Sequence, residues 1–226
     1  KRDSARLRVG NAYEKMLQAA KAGSDLQLQF ARNFTSFASS AEHNDLIKEL
    51  LDGKLTGLKV DADLRWTFVI ALAERGLMDK EELSAQLLKD NTLNGQLSFA
   101  SALAARPTAD AKAETWKSIT TEDISTSQRE AKLAGFMRAL HRPLLAAYVD
   151  PYFDLLLSIW GKKSYEVASS FVSGMYPIYI TNQVTLDKTI NWLNTTGKDG
   201  QAGLCRLVSE SRDSLSRALK VQELDK

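Results

Sequence analysis

Asp61-Ala-Asp-Leu-Arg-Trp-Thr-Phe-Val-Ile-Ala-Leu-Ala-Glu74 is the stretch whose reading decides the fold. Between Leu64 and Ala73 apolar residues occupy nearly every side of a 3.6-residue period, which predicts a helix buried all round rather than one lying on a surface. Asp61 precedes it as an N-cap, its carboxylate placed to accept from the free N–H groups of the first turn. A helix wrapped on all sides needs other helices around it, and the flanking sequence supplies them. Val9, Ala12, Tyr13, Met16, Leu17 and Ala20 fall at spacings of three and four, as do Leu26, Phe30, Phe34 and Phe37. Leu204, Leu207, Val208, Leu215, Ala218 and Leu219 form another such stripe. Strand-like alternation is absent apart from an ambiguous Pro177-Ile-Tyr-Ile-Thr181. The fold class is therefore all-α.

Capping chemistry places the helix starts. Ser24-Asp-Leu-Gln27, Ser39-Ser-Ala-Glu42 and Ser127-Gln-Arg-Glu130 fit the capping box, in which a hydroxyl and a side chain three residues on satisfy each other's backbone donors. Asp79 with Glu82 does the same with a carboxylate, and Thr108 is a further N-cap just after Pro107. Asp150-Pro151 reads as N-cap and N1, which divides or kinks the stripe from Leu144 to Trp160. Gly23, Gly53, Gly76 and Gly161 sit where left-handed C-caps are expected. Starts are thus predicted near residues 3, 25, 41, 62, 79, 94, 109, 127, 141, 151, 164, 183 and 199. Alternate starts lie about 30 to 38 residues apart, the size of a two-helix repeat. The expected architecture is an irregular α-α superhelix of stacked hairpins, HEAT- or ARM-like, with no linker and one domain over residues 1–226.

Composition excludes several classes. Thirty basic against 28 acidic residues leave a net charge of +2, too little to point to nucleic acid or a membrane. No run approaches 18 consecutive apolar residues. The start, Lys1-Arg-Asp-Ser-Ala-Arg6, has neither a signal-peptide core nor an initiator Met, so a piece of a longer chain is expected. The single Cys205 suits a reducing, cytoplasmic compartment, and its neighbours Leu204, Leu207 and Val208 make a packed, inert thiol the expectation.

The residues able to do chemistry are few. His43 and His141 are the only histidines, nearly a hundred residues apart, and both are expected to cap helices or lie at the surface. They cannot make the i, i+4 pair of a zinc-peptidase helix, and one cysteine excludes thiolate ligation. Gly-x-Ser-x-Gly and phosphate-binding glycine loops are absent, Gly197-Lys-Asp-Gly200 being a turn signal. The small basic patches Trp160-Gly-Lys-Lys163 and Arg138-Ala-Leu-His-Arg142 read as helix ends. Arg65 stands out as a charge on a nearly all-apolar helix. An ion pair with Asp61, Asp63 or Glu74 is the structural reading; a peptide-facing arginine is the functional one. No catalytic, cofactor-binding or metal residue is assigned.

Certain words stand in an informative order and spacing: Asp61-Ala-Asp-Leu-Arg-Trp66, Lys89-Asp-Asn-Thr92 and Arg106-Pro-Thr-Ala-Asp-Ala-Lys-Ala-Glu-Thr-Trp116. They are joined by Ala31-Arg-Asn-Phe34, Leu50-Leu-Asp-Gly53, Ala134-Gly-Phe136, Tyr148-Val-x-x-Tyr-Phe153, Gly174-Met-Tyr-Pro177 and Ser211-Arg-Asp213. In this order the chain resembles the C-terminal helical domain of bacterial, actinobacterial-type aminopeptidase N, a gluzincin metallopeptidase. It departs from that pattern at Pro151 and in Thr181-Asn-Gln183. The resemblance implies a HEAT-like domain beside a thermolysin-like catalytic domain of the same chain. It would enclose the active-site chamber and help hold the distal part of a peptide substrate. Zinc, the general base and recognition of the free N-terminus would belong to the catalytic domain, so this piece alone would not be an enzyme. Neither nucleic acid nor membrane is an expected partner. The alternative from another class is a free-standing α-solenoid that binds proteins; a helical-repeat nucleic-acid binder is the third.

Overall fold

A computed structural model describes residues 1–224, and every regular element among them is helical. The all-α expectation holds. Internal contacts gather the chain into two compact units, Lys1–Arg106 and Pro107–Lys226.

In the first unit the helices are α1 (Arg2–Ala19), α2 (Asp25–Phe37), α3 (Ala41–Leu51), α4 (Ala62–Glu74), α5 (Lys80–Leu88) and α6 (Leu93–Ala105). They pack as consecutive hairpins, α1 on α2, α3 on α4 and α5 on α6, while α2, α4 and α6 stack in turn from one hairpin to the next. The decisive stretch is the central helix of this stack. Leu64, Phe68, Ala71 and Leu72 of α4 join Leu17, Phe34, Ile47 and Leu50 in one core. Its other side sends Trp66, Val69 and Ala73 into a second core with Leu83 and Ala102. Two cores on one helix explain why its sequence has almost no polar face. Burying each such Leu or Phe contributes roughly 1.5–3 kcal/mol.

The second unit holds α7 (Ala109–Thr121), α8 (Thr126–Phe136), α9 (Arg142–Leu145), α10 (Val149–Lys162), α11 (Tyr165–Gly174), α12 (Gln183–Asn194) and α13 (Ala202–Leu224). Hairpins again stack: α7 on α8, α10 on α11 and α12 on α13, with α8, α11 and α13 adjacent in turn. One core runs through them, built on Phe136, Tyr152, Leu156, Phe171, Val172 and Leu204. The Tyr152 hydroxyl donates to the Val172 carbonyl at 2.7 Å, so even this fully buried phenol is satisfied.

The caps test the sequence reading residue by residue. Asp61, Thr108 and Ser24 cap the helices expected of them, and Asp79 with Glu82 forms the full reciprocal box. Two boxes are displaced. Ser40, not Ser39, caps α3, because the third residue on is His43, whose N–H donates to the Ser40 hydroxyl. Ser125, not Ser127, caps α8 and pairs with Gln128. Asp150 is not an N-cap: α10 begins at Val149, so Asp150 and Pro151 lie in its first turn, where a missing N–H costs no intrahelical bond. Gly23, Gly53 and Gly76 have φ of 76°, 71° and 70°, as a left-handed helix end requires, whereas Gly161 lies inside α10. The ambiguous 177–181 segment is a run of turns, with Ile180 N–H donating to the Pro177 carbonyl.

Candidate functional site

Arg65 is the one side chain that the sequence marks for a site, and its surroundings are now explicit. Its Nη1 donates to the Gln86 carbonyl at 3.2 Å and to Gln86 Oε1 at 3.0 Å. Nη2 lies 3.9 Å from Asp90 Oδ2, and the guanidinium carbon sits 5.4 Å from the Trp66 ring centroid. The acidic partner is therefore Asp90, in the turn after α5, rather than Asp61, Asp63 or Glu74. Helix periodicity could not reveal it, because the partner comes from another hairpin.

Asp90 is the centre of this node. Its Oδ2 accepts from Trp66 Nε1 at 2.9 Å and its Oδ1 from the Thr92 hydroxyl at 2.8 Å. Thr92 in turn caps α6 by accepting from the Gly95 N–H. The Thr92 hydroxyl and the Trp66 N–H hold the Asp90 carboxyl below the usual range, with Arg65 adding to them. Gly95 is required here, since a Cβ would stand 1.9 Å from the Asp90 carbonyl oxygen. The word Lys89-Asp-Asn-Thr92 is thus a clasp that fastens the α5–α6 turn to α4.

Both histidines are buried. His43 Nδ1 accepts from the Ser39 N–H at 3.1 Å, and Nε2 lies 3.5 Å from Glu14 Oε2 on α1. That makes His43 a capping residue of α3 and a docking post for α1. Its ring meets Phe34 edge-on, and Gly10 lies so close that a Cβ would stand 2.6 Å from His43 Cε1. His141 closes a short 3₁₀ turn and is 4% exposed, so it is not a surface residue. Cys205 is half-buried and donates to the Gly197 carbonyl at 3.1 Å, which fits a packed thiol. Among the described residues, no three His, Cys, Asp or Glu side chains gather as a metal would need. No helix among them is long and apolar enough to cross a membrane.

The second unit contains one small pocket, with room for about one water molecule. Phe136 and Met137 at the end of α8, Leu145, Tyr148 and the Met175–Ile180 region line it. Burial raises the Tyr148 phenol above its ordinary pKa. Its titratable lining groups are two phenols, Tyr148 and Tyr179, and it is far smaller than a ligand site.

Two buried cations escaped the sequence reading. Lys112 of α7 donates to the Phe136 carbonyl at 3.1 Å and reaches Gly135 at 3.4 Å. Arg129 of α8 donates to the Ile119 carbonyl, and burial lowers its pKa while Asp123 raises it. A signal existed in the sequence: Lys112 heads the i, i+4, i+7 row Lys112, Trp116, Ile119, and Arg129 heads Arg129, Leu133, Phe136.

Comparison with known proteins gives these features a context. The family described as ERAP1-like C-terminal domain matches residues 3–217. Aminopeptidase N of Streptomyces lividans is 44% identical over 212 residues, covering 92% of this chain and 24% of that protein. The chain thus spans about a quarter of the length of the curated relative it matches. With all but its extreme residues inside the family match, the chain belongs to the ERAP1-like C-terminal domain family.

Proposed function

We propose that this chain is the non-catalytic C-terminal domain of a zinc aminopeptidase. In that role it walls off the active-site chamber and helps hold the distal part of the peptide. The observation that carries the reading is the 44% identity to Aminopeptidase N across nearly the whole chain. The side chains agree with it: His43 is occupied as a helix cap.

In this reading the catalytic domain of the same chain supplies zinc, the general base and recognition of the free N-terminus. Residues 1–226 act together as one HEAT-like domain whose partners are that catalytic domain and the peptide. The parent protein is cytoplasmic, in keeping with a lone, packed cysteine. Such a domain accelerates hydrolysis without a reacting group, by excluding water and restricting the orientations of a bound peptide. Arg65 is the proposed peptide-facing side chain, positioned by Gln86 and Asp90.

The test compares the longer parent protein with a form lacking these 226 residues, on an aminoacyl amide and on longer peptides. Deletion is expected to raise KM for long peptides far more than for the amide. Stoichiometric zinc binding and amide cleavage by the 226-residue chain alone would overturn the reading.

A further inference from the structure

Asn94-Gly95 is the one place in the chain where glycine follows asparagine; every other asparagine precedes a residue with a side chain. The pairing matters chemically. A main-chain nitrogen can attack the side-chain amide of the asparagine before it, and glycine, lacking a Cβ, hinders that attack least. Asn94 is exposed, so water has free access to its side chain.

A bulkier residue at position 95 would slow the reaction, but the fold forbids one. Gly95 is buried against the turn between α5 and α6. A Cβ there would stand 1.9 Å from the Asp90 carbonyl oxygen and 2.8 Å from the Asp90 carboxylate carbon. The close approach that forms the clasp therefore keeps the labile pair beside it.

The native structure restrains the pair in two ways. Asn94 is the second residue of α6, and a helical ψ of about −42° holds the Gly95 nitrogen off the line of attack on Cγ. The attacking group is also occupied. The Gly95 N–H donates to the Thr92 hydroxyl at 3.1 Å, and that hydroxyl donates to Asp90 Oδ1 at 2.8 Å. Both restraints belong to a first helical turn, whose N–H groups have no intrahelical acceptors and depend on the cap.

We propose that Asn94 is a site of spontaneous deamidation, gated by the Thr92–Asp90 clasp. When the first turn of α6 opens, the Gly95 nitrogen bonds to Asn94 Cγ and the Cγ–Nδ2 bond breaks. Ammonia leaves, carrying the proton that the Gly95 nitrogen gives up. One water then opens the five-membered imide: attack at Cγ gives aspartate, attack at the main-chain carbonyl gives isoaspartate. The two products act oppositely on α6. Aspartate puts a carboxylate in the first turn, where the helix dipole favours it. Isoaspartate threads Cβ into the main chain, which displaces Gly95 from Thr92 and loosens the Asp90 turn that holds Trp66.

The experiment uses the full-length protein that carries these residues, with its Thr92→Ala and Thr92→Ser variants. Each is incubated in mildly alkaline buffer, native and in urea, and peptide mapping that resolves aspartate from isoaspartate follows position 94 with time. In urea Asn94 is expected to deamidate faster than every other asparagine, and in the native parent more slowly than in urea. Thr92→Ala should raise the native rate about fivefold or more, whereas Thr92→Ser, which keeps the hydroxyl, should stay near the parent. Equal native rates for the parent and Thr92→Ala would overturn the gate. An Asn94 no more labile in urea than the other asparagines would overturn the site. The parent alone supplies a further check that needs no variant to fold: native and urea rates that coincide also overturn the proposal.

Discussion

Lys112 and Arg129 cap each other's helices. Each is the fourth residue of its own helix, and each donates to carbonyls in the last turn of the other. Neither α7 nor α8 ends in a glycine, so these cations supply what a left-handed C-cap would otherwise satisfy. Arg75 repeats the device in the first unit, where its Nη2 donates to the Thr35 and Ala38 carbonyls at the end of α2, 2.8 Å from each.

Truncating Lys112 or Arg129 to Ala strands buried carbonyls at one end of the hairpin. Each change is expected to cost about 2–4 kcal/mol. The two sites stand at opposite ends of the hairpin, about 10 Å apart along the helix axis. The double variant should therefore lose close to the sum, as urea denaturation would show.

Gly10 and Gly161 are both helical glycines, and Ala at the two positions should act in opposite directions. At Gly161 nothing lies within 4 Å of an added Cβ, so Gly161→Ala is expected to stabilise by about 0.5–1 kcal/mol. At Gly10 the Cβ would meet His43 Cε1 at 2.6 Å and the Phe37 carbonyl at 2.9 Å, and Gly10→Ala is expected to cost about 1–3 kcal/mol. Thermal unfolding of the pair checks the sign of each.

Asp90 contributes in one direction of pH. Its carboxyl is held below its ordinary value in the folded chain, so its stabilising contribution is complete above the unfolded pKa of about 3.9. It is lost as pH falls through the lower folded value. Asp90→Asn should therefore be less stable than the parent at neutral pH, with the gap closing on acidification below about 3.9.

Tyrosines govern the alkaline side. Burial raises the phenols of Tyr152 and Tyr176, Tyr152 well above its ordinary value. The unfolded chain loses these protons first, so the contribution is complete below about pH 10 and lost above it. Tyr152→Phe should flatten that alkaline loss, at a cost near neutrality of about 0.5–1.5 kcal/mol for the bond to Val172.

Arg65→Gln separates the two roles of that residue. Loss of the bonds to Gln86 and Asp90 should lower the unfolding midpoint, and a raised KM for long peptides in the still-folded parent protein is the expected second effect. Lower stability with unaltered kinetics would make Arg65 purely a strut between α4 and the α5–α6 turn.

Much of this structure was legible in the sequence because it is written locally. The nearly all-apolar run of residues 64–73 anticipates a helix buried on most sides, and each expected helix start lies within a few residues of an observed one. Misreadings arose where more than one local solution existed. Ser39 and Ser40 are both good caps, and the choice follows from His43 reaching back to the Ser39 N–H. Pro151 is acceptable anywhere in a first turn, so it could not mark the residue at which α10 begins. The partners were less legible because they come from other helices: Arg65 to Gln86, Trp66 to Asp90, Lys112 to Phe136. No periodicity within one helix encodes such pairs.

The hairpin-by-hairpin stacking has a mechanical consequence. Within each unit the main contacts join helices of one hairpin or of adjacent hairpins, so tension applied at a unit's ends loads the hairpins in series. A fold tied by distant strands gives way in one rupture. Here the outermost hairpin can peel off while its inner neighbour keeps its own bonds, α4 held by Asp90 on one side and α7 clasped to α8 in the other unit. Pulled in an optical trap, each unit should lengthen by several small, reversible steps rather than one large jump.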